Sequence, residues 1–157
     1  YFRGTPHIVR FIEYMDVGNS NGWVMDEVIP SGRVITQIGN VFPLEKLPSN
    51  YSGEVASRYR YKDGAGEIGL ISSITEPFCG NCTRARLSAD GKFFTCLFAS
   101  GGTDLLKEIR SGATDEHLIE ILKSIWLPRK DRYSELRTEY MELLTEEKKI
   151  EMSYIGG

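Results

Sequence analysis

The stretch Cys79-Gly80-Asn81-Cys82-Thr83-Arg84-Ala85-Arg86-Leu87-Ser88-Ala89-Asp90-Gly91-Lys92-Phe93-Phe94-Thr95-Cys96 decides how this 157-residue chain is read. Asp90-Gly91 is its strongest hairpin signal, because Gly supplies the positive φ that such turns need. Residues 84–89 and 92–98 then read as the two strands. The hairpin folds Cys96 back toward Cys82, so ligands far apart in sequence are expected to converge on one point. Cys79, Cys82 and Cys96 are the only cysteines of the chain. A C-x₂-C pair with one distant third thiol is ligand arithmetic that leaves a coordination position open.

Three chemistries can use such thiols. A structural zinc site wants four protein ligands. His7 and His117 are the only histidines, and neither has motif spacing. A thioredoxin-like pair enters a helix N-terminus, whereas this pair precedes the strand-like residues 84–88. An iron–sulfur cluster fits best, since thiolates are its standard ligands and C-x₂-C is a common spacing. Three thiolates on a four-iron cluster leave one iron open to substrate. On spacing alone the cluster, zinc and unliganded core thiols all stay open. Arg84 and Arg86 fall on one face of a strand. Two neighbouring guanidiniums repel unless an anion joins them, and a phosphate or triphosphate matches their planar fork. The other reading of the two arginines is a solvated sheet face.

The rest of the chain sets bounds. One domain of ordinary size, or part of a larger one, is expected. A net charge of −3 argues against a bulk nucleic-acid binder. No apolar run approaches the roughly 18 residues that cross a membrane, and Tyr1-Phe2-Arg3-Gly4-Thr5-Pro6 lacks the apolar centre of a signal peptide. An odd, small cysteine count points to a reducing compartment, read as the cytoplasm. The chain opens without Met and is expected to be processed, excised or a fragment.

Residues 7–14 read as a strand that runs into the turn Gly18-Asn19. Ser31 is expected to cap a helix with Val34, Ile35 and Ile38 on one face. Around Pro43 and Pro48 the chain reads as irregular. Residues 55–61 and 67–72 read as antiparallel strands about the turn Lys62-Asp63-Gly64. Thr103 or Asp104 is expected to cap a helix with Leu105, Leu106 and Ile109 inward. Thr114 should cap another, with Leu118, Ile121, Leu122 and Ile125 inward and Pro128 as its stop. A short helix is expected near residues 133–143, in a charged tail.

The run from Phe78 to Lys92, followed by Cys96-Leu97-Phe98, closely resembles the GTP 3′,8-cyclase family of radical S-adenosylmethionine (SAM) enzymes, which open molybdenum cofactor biosynthesis. Arg10-Phe11-Ile12-Glu13-Tyr14-Met15-Asp16-Val17-Gly18-Asn19 and the terminal Gly156-Gly157 resemble it as well. The resemblance covers essentially the whole chain. It implies that Cys79, Cys82 and Cys96 hold an auxiliary 4Fe-4S cluster whose open iron binds the guanine end of GTP. It assigns Arg84, Ala85 and Arg86, with Thr83 in the same loop, and Arg10 to GTP. It places Met15 against SAM and the Gly156-Gly157 tail in the active site. It implies a homodimer, and cyclic pyranopterin monophosphate synthase as the enzyme that follows.

The family also carries an N-terminal C-x₃-C-x₂-C motif for a second, SAM-cleaving 4Fe-4S cluster, and this chain has no such motif. The expectation is therefore a C-terminal half. Its fold class is α/β, or α+β within the fragment. Residues 1–18 are expected to end an incomplete (β/α) barrel, near its last strand. Residues 19–157 are expected to form a cluster- and GTP-binding domain around an antiparallel sheet with helices. The resemblance further implies that a SAM-derived radical takes hydrogen from the ribose of GTP in the whole enzyme. The ribose carbon then joins C8 of guanine, and the half alone is expected to be inactive. A non-catalytic cluster- or zinc-binding module is the alternative. A peptide-modifying radical SAM enzyme is disfavoured, because its extensions usually carry more cysteines. The strand at residues 7–14 is expected to be a near-buried parallel barrel strand. Standing without its barrel neighbours it should expose an edge, with Arg10 and Glu13 as solvated charges.

Overall fold

The computed structural model describes residues 1–137 and 150–155. They fall into two compact units, Tyr1–Met15 with Trp23–Cys82, and Asp16–Gly22 with the described part of Thr83–Gly157. Both helices and sheets are present, as the mixed class requires.

The first unit is built on strands β1 (Val9–Ile12), β2 (Leu44–Lys46), β3 (Ser57–Tyr61) and β4 (Glu67–Ile71), with helix α1 (Ser31–Val41) between β1 and β2. The sheet order is β1-β4-β3-β2. β1 runs parallel to β4, with Val9 opposite Ile68 and Ile12 opposite Ile71. β3 is antiparallel to both of its neighbours. β4 is flanked on both edges, and its Ile68 and Leu70, together with Ala56, are the buried apolar residues of this unit. Burying such side chains is worth about 1.5–3 kcal/mol each. The β3–β4 hairpin turns at Lys62-Asp63-Gly64 as read from sequence, where the Gly64 N–H donates to the Tyr61 carbonyl at 2.9 Å. Around Pro43 and Pro48 the irregular reading is corrected: the chain forms the short strand β2. It lies at the sheet edge, where a strand flanked by prolines is tolerated.

β1 occupies the other edge and is shorter than the sequence pattern implied. Its Phe11 and Ile12 are exposed. Arg10 is exposed as expected, but Glu13 is not a solvated charge. It is 4% exposed, and its carboxylate accepts four hydrogen bonds. These come from the backbone N–H of Ser31 at 2.8 Å, those of Ile74 and Thr75 at 2.9 Å each, and the Thr75 hydroxyl at 2.6 Å. The Ser31 bond also corrects the reading of α1. Pro30 is the residue before the helix and offers no side-chain cap. Ser31 is the first helical residue, and the cap is the remote carboxylate of Glu13. A negative charge there also suits the positive end of the helix dipole.

In the second unit β5 (Arg86–Leu87), β6 (Lys92–Phe94) and β7 (Thr103–Asp104) form an antiparallel sheet in that order. The sequence reading ran these strands on from the earlier pair, whereas they form a separate sheet. They are also shorter than expected, because both ends of the hairpin leave the ladder at Arg86 and Phe94. The turn is the expected one. Gly91 has φ +80°, and the Ser88 N–H donates to the Lys92 carbonyl at 2.9 Å across a three-residue loop. A Cβ at Gly91 would also lie 2.5 Å from that of Leu106. Gly91 is thus required by the turn and by the helix packed on it.

That helix, α2 (Leu105–Arg110), is capped by Asp104, whose carboxylate accepts from the Lys107 N–H at 2.9 Å. Its Leu105 and Leu106 are half-buried, while Ile109 is 53% exposed and does not face inward as expected. Helix α3 (Asp115–Trp126) is capped by Thr114 and buries part of Leu118, Ile121, Leu122 and Ile125, as its periodicity foretold. It ends two residues before Pro128, which cannot continue a helix. Most of the helix expected at residues 133–143 lies outside the described residues.

The Glu13 carboxyl is held below its ordinary value near 4.5. Burial works against its charged form, but the Thr75 hydroxyl and the three backbone N–H groups outweigh it. A carboxyl depressed on folding stabilises the protein fully above the ordinary value, and that contribution is lost as pH falls through the folded value. Glu13→Gln is expected to cost about 1.5–3 kcal/mol at neutral pH, since it removes charge-assisted bonds and turns an amide donor toward N–H groups. In urea unfolding, the gap between wild type and variant should be widest above pH 5 and narrow as pH falls below about 4.5.

Candidate functional site

The first two thiols sit on a single 3₁₀ turn, Cys79–Asn81, that closes on Cys82. The Cys82 N–H donates to the Cys79 carbonyl at 3.1 Å. Cys79 thus opens the turn, and Cys82 follows it in extended backbone. Both are half-buried and outside any disulfide. Beside this turn, Phe78 and Asn81 join Ser49, Tyr51 and Glu54 in lining an open polar cavity of about 450 Å³. The turn follows closely on Thr75, so the Glu13 anchor also holds the approach to it.

The arginines belong to the second unit. From Thr83 to Leu87 exposure alternates, with Arg84 and Arg86 half-buried and Thr83, Ala85 and Leu87 exposed. Arg86 is in β5 opposite Phe94. Arg84 precedes the strand, which corrects the longer strand read from sequence, yet the two arginines keep the same side. Arg129 pins this loop by donating from Nη1 to the Arg84 carbonyl at 3.2 Å. Its own guanidinium is held by Asp131 at 2.7 Å and lies 4.6 Å from the centre of the Trp126 ring. Nothing in the sequence pattern marked Arg129 for this task.

Cys96 lies beyond the end of β6, in a turn where the Ala99 N–H donates to its carbonyl at 3.4 Å. Its sulfur accepts the Phe98 N–H at 3.4 Å. The Phe98 ring stacks on Tyr133, with centroids 4.4 Å apart and planes inclined by 18°. The Tyr133 hydroxyl donates to Asp16 Oδ2 at 2.7 Å, and Arg137 Nε donates to Asp16 Oδ1 at 2.9 Å. The side chains of Asp16 and Arg137 are each 4% exposed. Burial pushes the Tyr133 phenol up, and its bond to Asp16 adds to the shift, so it stays a neutral donor. This array was not legible in sequence, because Asp16 stands more than a hundred residues from Tyr133 and Arg137.

The other expected site residues are dispersed. Met15 is half-buried and directly precedes Asp16. Arg10, on edge strand β1, crosses Gly69 of β4, where an added Cβ would come within 3.3 Å of the arginine Cγ. Gly156-Gly157 lies outside the described residues. The segment leading to it is anchored within the second unit. The Glu151 carboxylate accepts the Asn19 N–H at 2.8 Å and the Ser20 hydroxyl at 3.1 Å. Gly18, with φ +68°, leaves room for that carboxylate, since a Cβ there would be 2.2 Å from it. Tyr154 donates to Asp90 at 2.5 Å. The Ser88 hydroxyl and Tyr154 together hold the Asp90 carboxyl at about 2.

Cys79 and Cys82 belong to the first unit and Cys96 to the second. Among the described residues no group of three or more His, Cys, Asp or Glu side chains is gathered to hold a metal ion. Two of the thiols bracket one turn. The third already receives the kind of N–H bond that stabilises a charged sulfur and tunes a cluster's potential.

The sequence profile described as Molybdenum Cofactor Synthesis C matches residues 7–135. The chain belongs to this family. It is 48% identical over 179 residues to the GTP 3′,8-cyclase of Acidothermus cellulolyticus, covering all of this chain and 49% of that protein. To the GTP 3′,8-cyclases of Staphylococcus aureus (strain MRSA252) and Xanthomonas axonopodis pv. citri it is 48% identical over 158 and 157 residues. Those matches cover all of this chain and 46% of each protein. The chain thus spans about half the length of the curated relatives it matches. Among the described residues no helix is long and apolar enough to cross a membrane.

Arg137→Leu strips the buried Asp16 carboxylate of its countercharge. The expected loss is about 3–5 kcal/mol, read as a lower urea midpoint. Gly18→Ala forces a strained φ and displaces Glu151, with an expected loss of about 1–2 kcal/mol, read in the same way.

Proposed function

We propose that this chain is the C-terminal, substrate-holding part of a GTP 3′,8-cyclase. The observation that carries the reading is family membership over residues 7–135, a range that contains Cys79, Cys82, Cys96, Arg84 and Arg86. The three thiolates hold a 4Fe-4S cluster. When bound, that group supplies an open iron, a Lewis acid for the guanine end of GTP.

The chain's own residues do the rest. Cys79 and Cys82 bracket the 3₁₀ turn. The Phe98 amide fixes and stabilises the sulfur of Cys96. Arg84 and Arg86, spaced along one side of their loop, take the triphosphate, and the Arg129 bond to the Arg84 carbonyl keeps that loop from swinging. Thr83 and Ala85 belong to the same GTP-binding loop. Arg10 extends the positive lining, and the backbone at Met15 meets SAM. The terminal Gly156-Gly157 serves the active site, where residues without side chains fit a narrow cavity. Radical formation requires the second cluster, for which this chain carries no cysteines. Isolated and reconstituted, with SAM and reductant, it should therefore show no turnover of GTP, and turnover would overturn that division of labour.

Anaerobic reconstitution is expected to load about four iron and four sulfide per chain. Zinc in place of iron would overturn the cluster. GTP titration of the loaded chain should show affinity falling at least about tenfold, or about 1.4 kcal/mol, in the double variant Arg84→Ala with Arg86→Ala. Unchanged GTP binding in that variant would remove the two arginines from the site.

A further inference from the structure

Cys96 differs from the other two thiols in what surrounds it. Its sulfur receives the Phe98 amide, the Phe98 ring is stacked on Tyr133, and Tyr133 is tied by its hydroxyl to Asp16. The guanidinium of Arg137 is paired with Asp16 in a buried contact. Its carbon lies 5.6 Å from the centre of the Phe98 ring and 5.7 Å from that of Tyr133. The amide that points at the sulfur therefore cannot rotate away without unstacking a ring that a buried ion pair holds in place.

We propose that Tyr133 is a positioning residue for Cys96. Through its stack on Phe98 and its tether to Asp16, it locks the N–H···S bond and so sets the reactivity of that one sulfur. Where Cys96 is a cluster ligand, the same bond sets the cluster's reduction potential. This last clause rests on the cluster reading above, and the first does not.

The physical reasoning is direct. An N–H donor spreads the charge of a thiolate and lowers its nucleophilicity. It also favours the more negative, reduced form of a cluster and so raises the potential. The route from Tyr133 to the amide that meets the sulfur runs through the Phe98 ring. Asp16 directly follows Met15 in the chain. Both halves of the lock on Cys96 lie in the second unit. A tyrosine that merely filled space would leave Cys96 unchanged in Tyr133→Phe, which keeps the ring and loses only the tether.

The test is residue-resolved alkylation of the metal-free chain by iodoacetamide, followed by mass spectrometry. It is run about one unit above the ordinary thiol pKa, so that ionisation does not limit the rate. Tyr133→Phe keeps the ring and loses the tether, while Tyr133→Leu loses both. Cys96 should alkylate faster in the first variant and several-fold faster in the second, with Cys79 and Cys82 unchanged. Anaerobic reconstitution then adds the potential, which should fall in the same order. Circular dichroism reports folding; if Tyr133→Leu does not fold, Tyr133→Phe is read alone on the same scale. Equal Cys96 rates in the folded variants, or equal acceleration at all three thiols, would overturn the proposal. A wild-type chain that takes up no iron overturns the cluster reading instead, and the alkylation rates still decide the role of Tyr133.

Discussion

Three backbone N–H groups and one hydroxyl, from two segments far apart in the chain, close on the carboxylate of Glu13. The architecture of the first unit depends on this convergence. One side chain at the end of β1 caps α1 and fixes the loop at Ile74-Thr75, just ahead of the turn that carries Cys79 and Cys82. A buried carboxylate without such partners would be costly. With them it is held ionised, and the helix start, the strand end and the loop are tied to a single point. The C-x₂-C turn can then be presented from a fixed base although β1 and β2 are edge strands.

The second unit uses a different device for the same end. Asp16 and Arg137 form a buried ion pair, and the aromatic rings of Phe98 and Tyr133 pack beside it. Buried pairs contribute little net stability, because desolvation offsets attraction. Their effect here is geometric: each ring has one place to be. The Phe98 amide and the Cys96 sulfur inherit that order. At the far end of the chain, Glu151 and Tyr154 hold the last described residues against the Gly18-Asn19-Ser20 loop and the Asp90 turn. The beginning and end of this unit are thus tied by polar contacts over a small apolar core of Phe94 and Ile155.

Local signals carried much of the secondary structure. Gly91 in its turn, Thr114 as a cap and the periodic face of α3 were legible because each depends on residues within a few positions. The readings that changed involve partners distant in sequence. Ser31 looked like a cap, since the sequence near it offers no better oxygen; the oxygen came from Glu13. Ile109 matched a helical face, but α2 is too short to bury it. The strands read on either side of Asp90-Gly91 were too long, because a hydrophobic pattern does not say where a partner strand ends. The site divides in the same way. Cys79, Cys82, Arg84 and Arg86 stood out through spacing, whereas Arg129, Tyr133, Arg137 and Glu151 carried no local mark at all.

By itself the sequence determined the family, the C-x₂-C spacing of two thiols, the shared side of Arg84 and Arg86 and the glycine that turns the hairpin. The last two rest on short-range geometry, such as the period-two alternation of extended chain. Only the tertiary structure decided that Glu13 is an internal cap, that the hairpin belongs to its own sheet, and that Cys96 is held by an aromatic stack fastened to Asp16. Those outcomes depend on which distant groups come to share a buried space. There an unpaired charge or donor is penalised, and that penalty selects the partners.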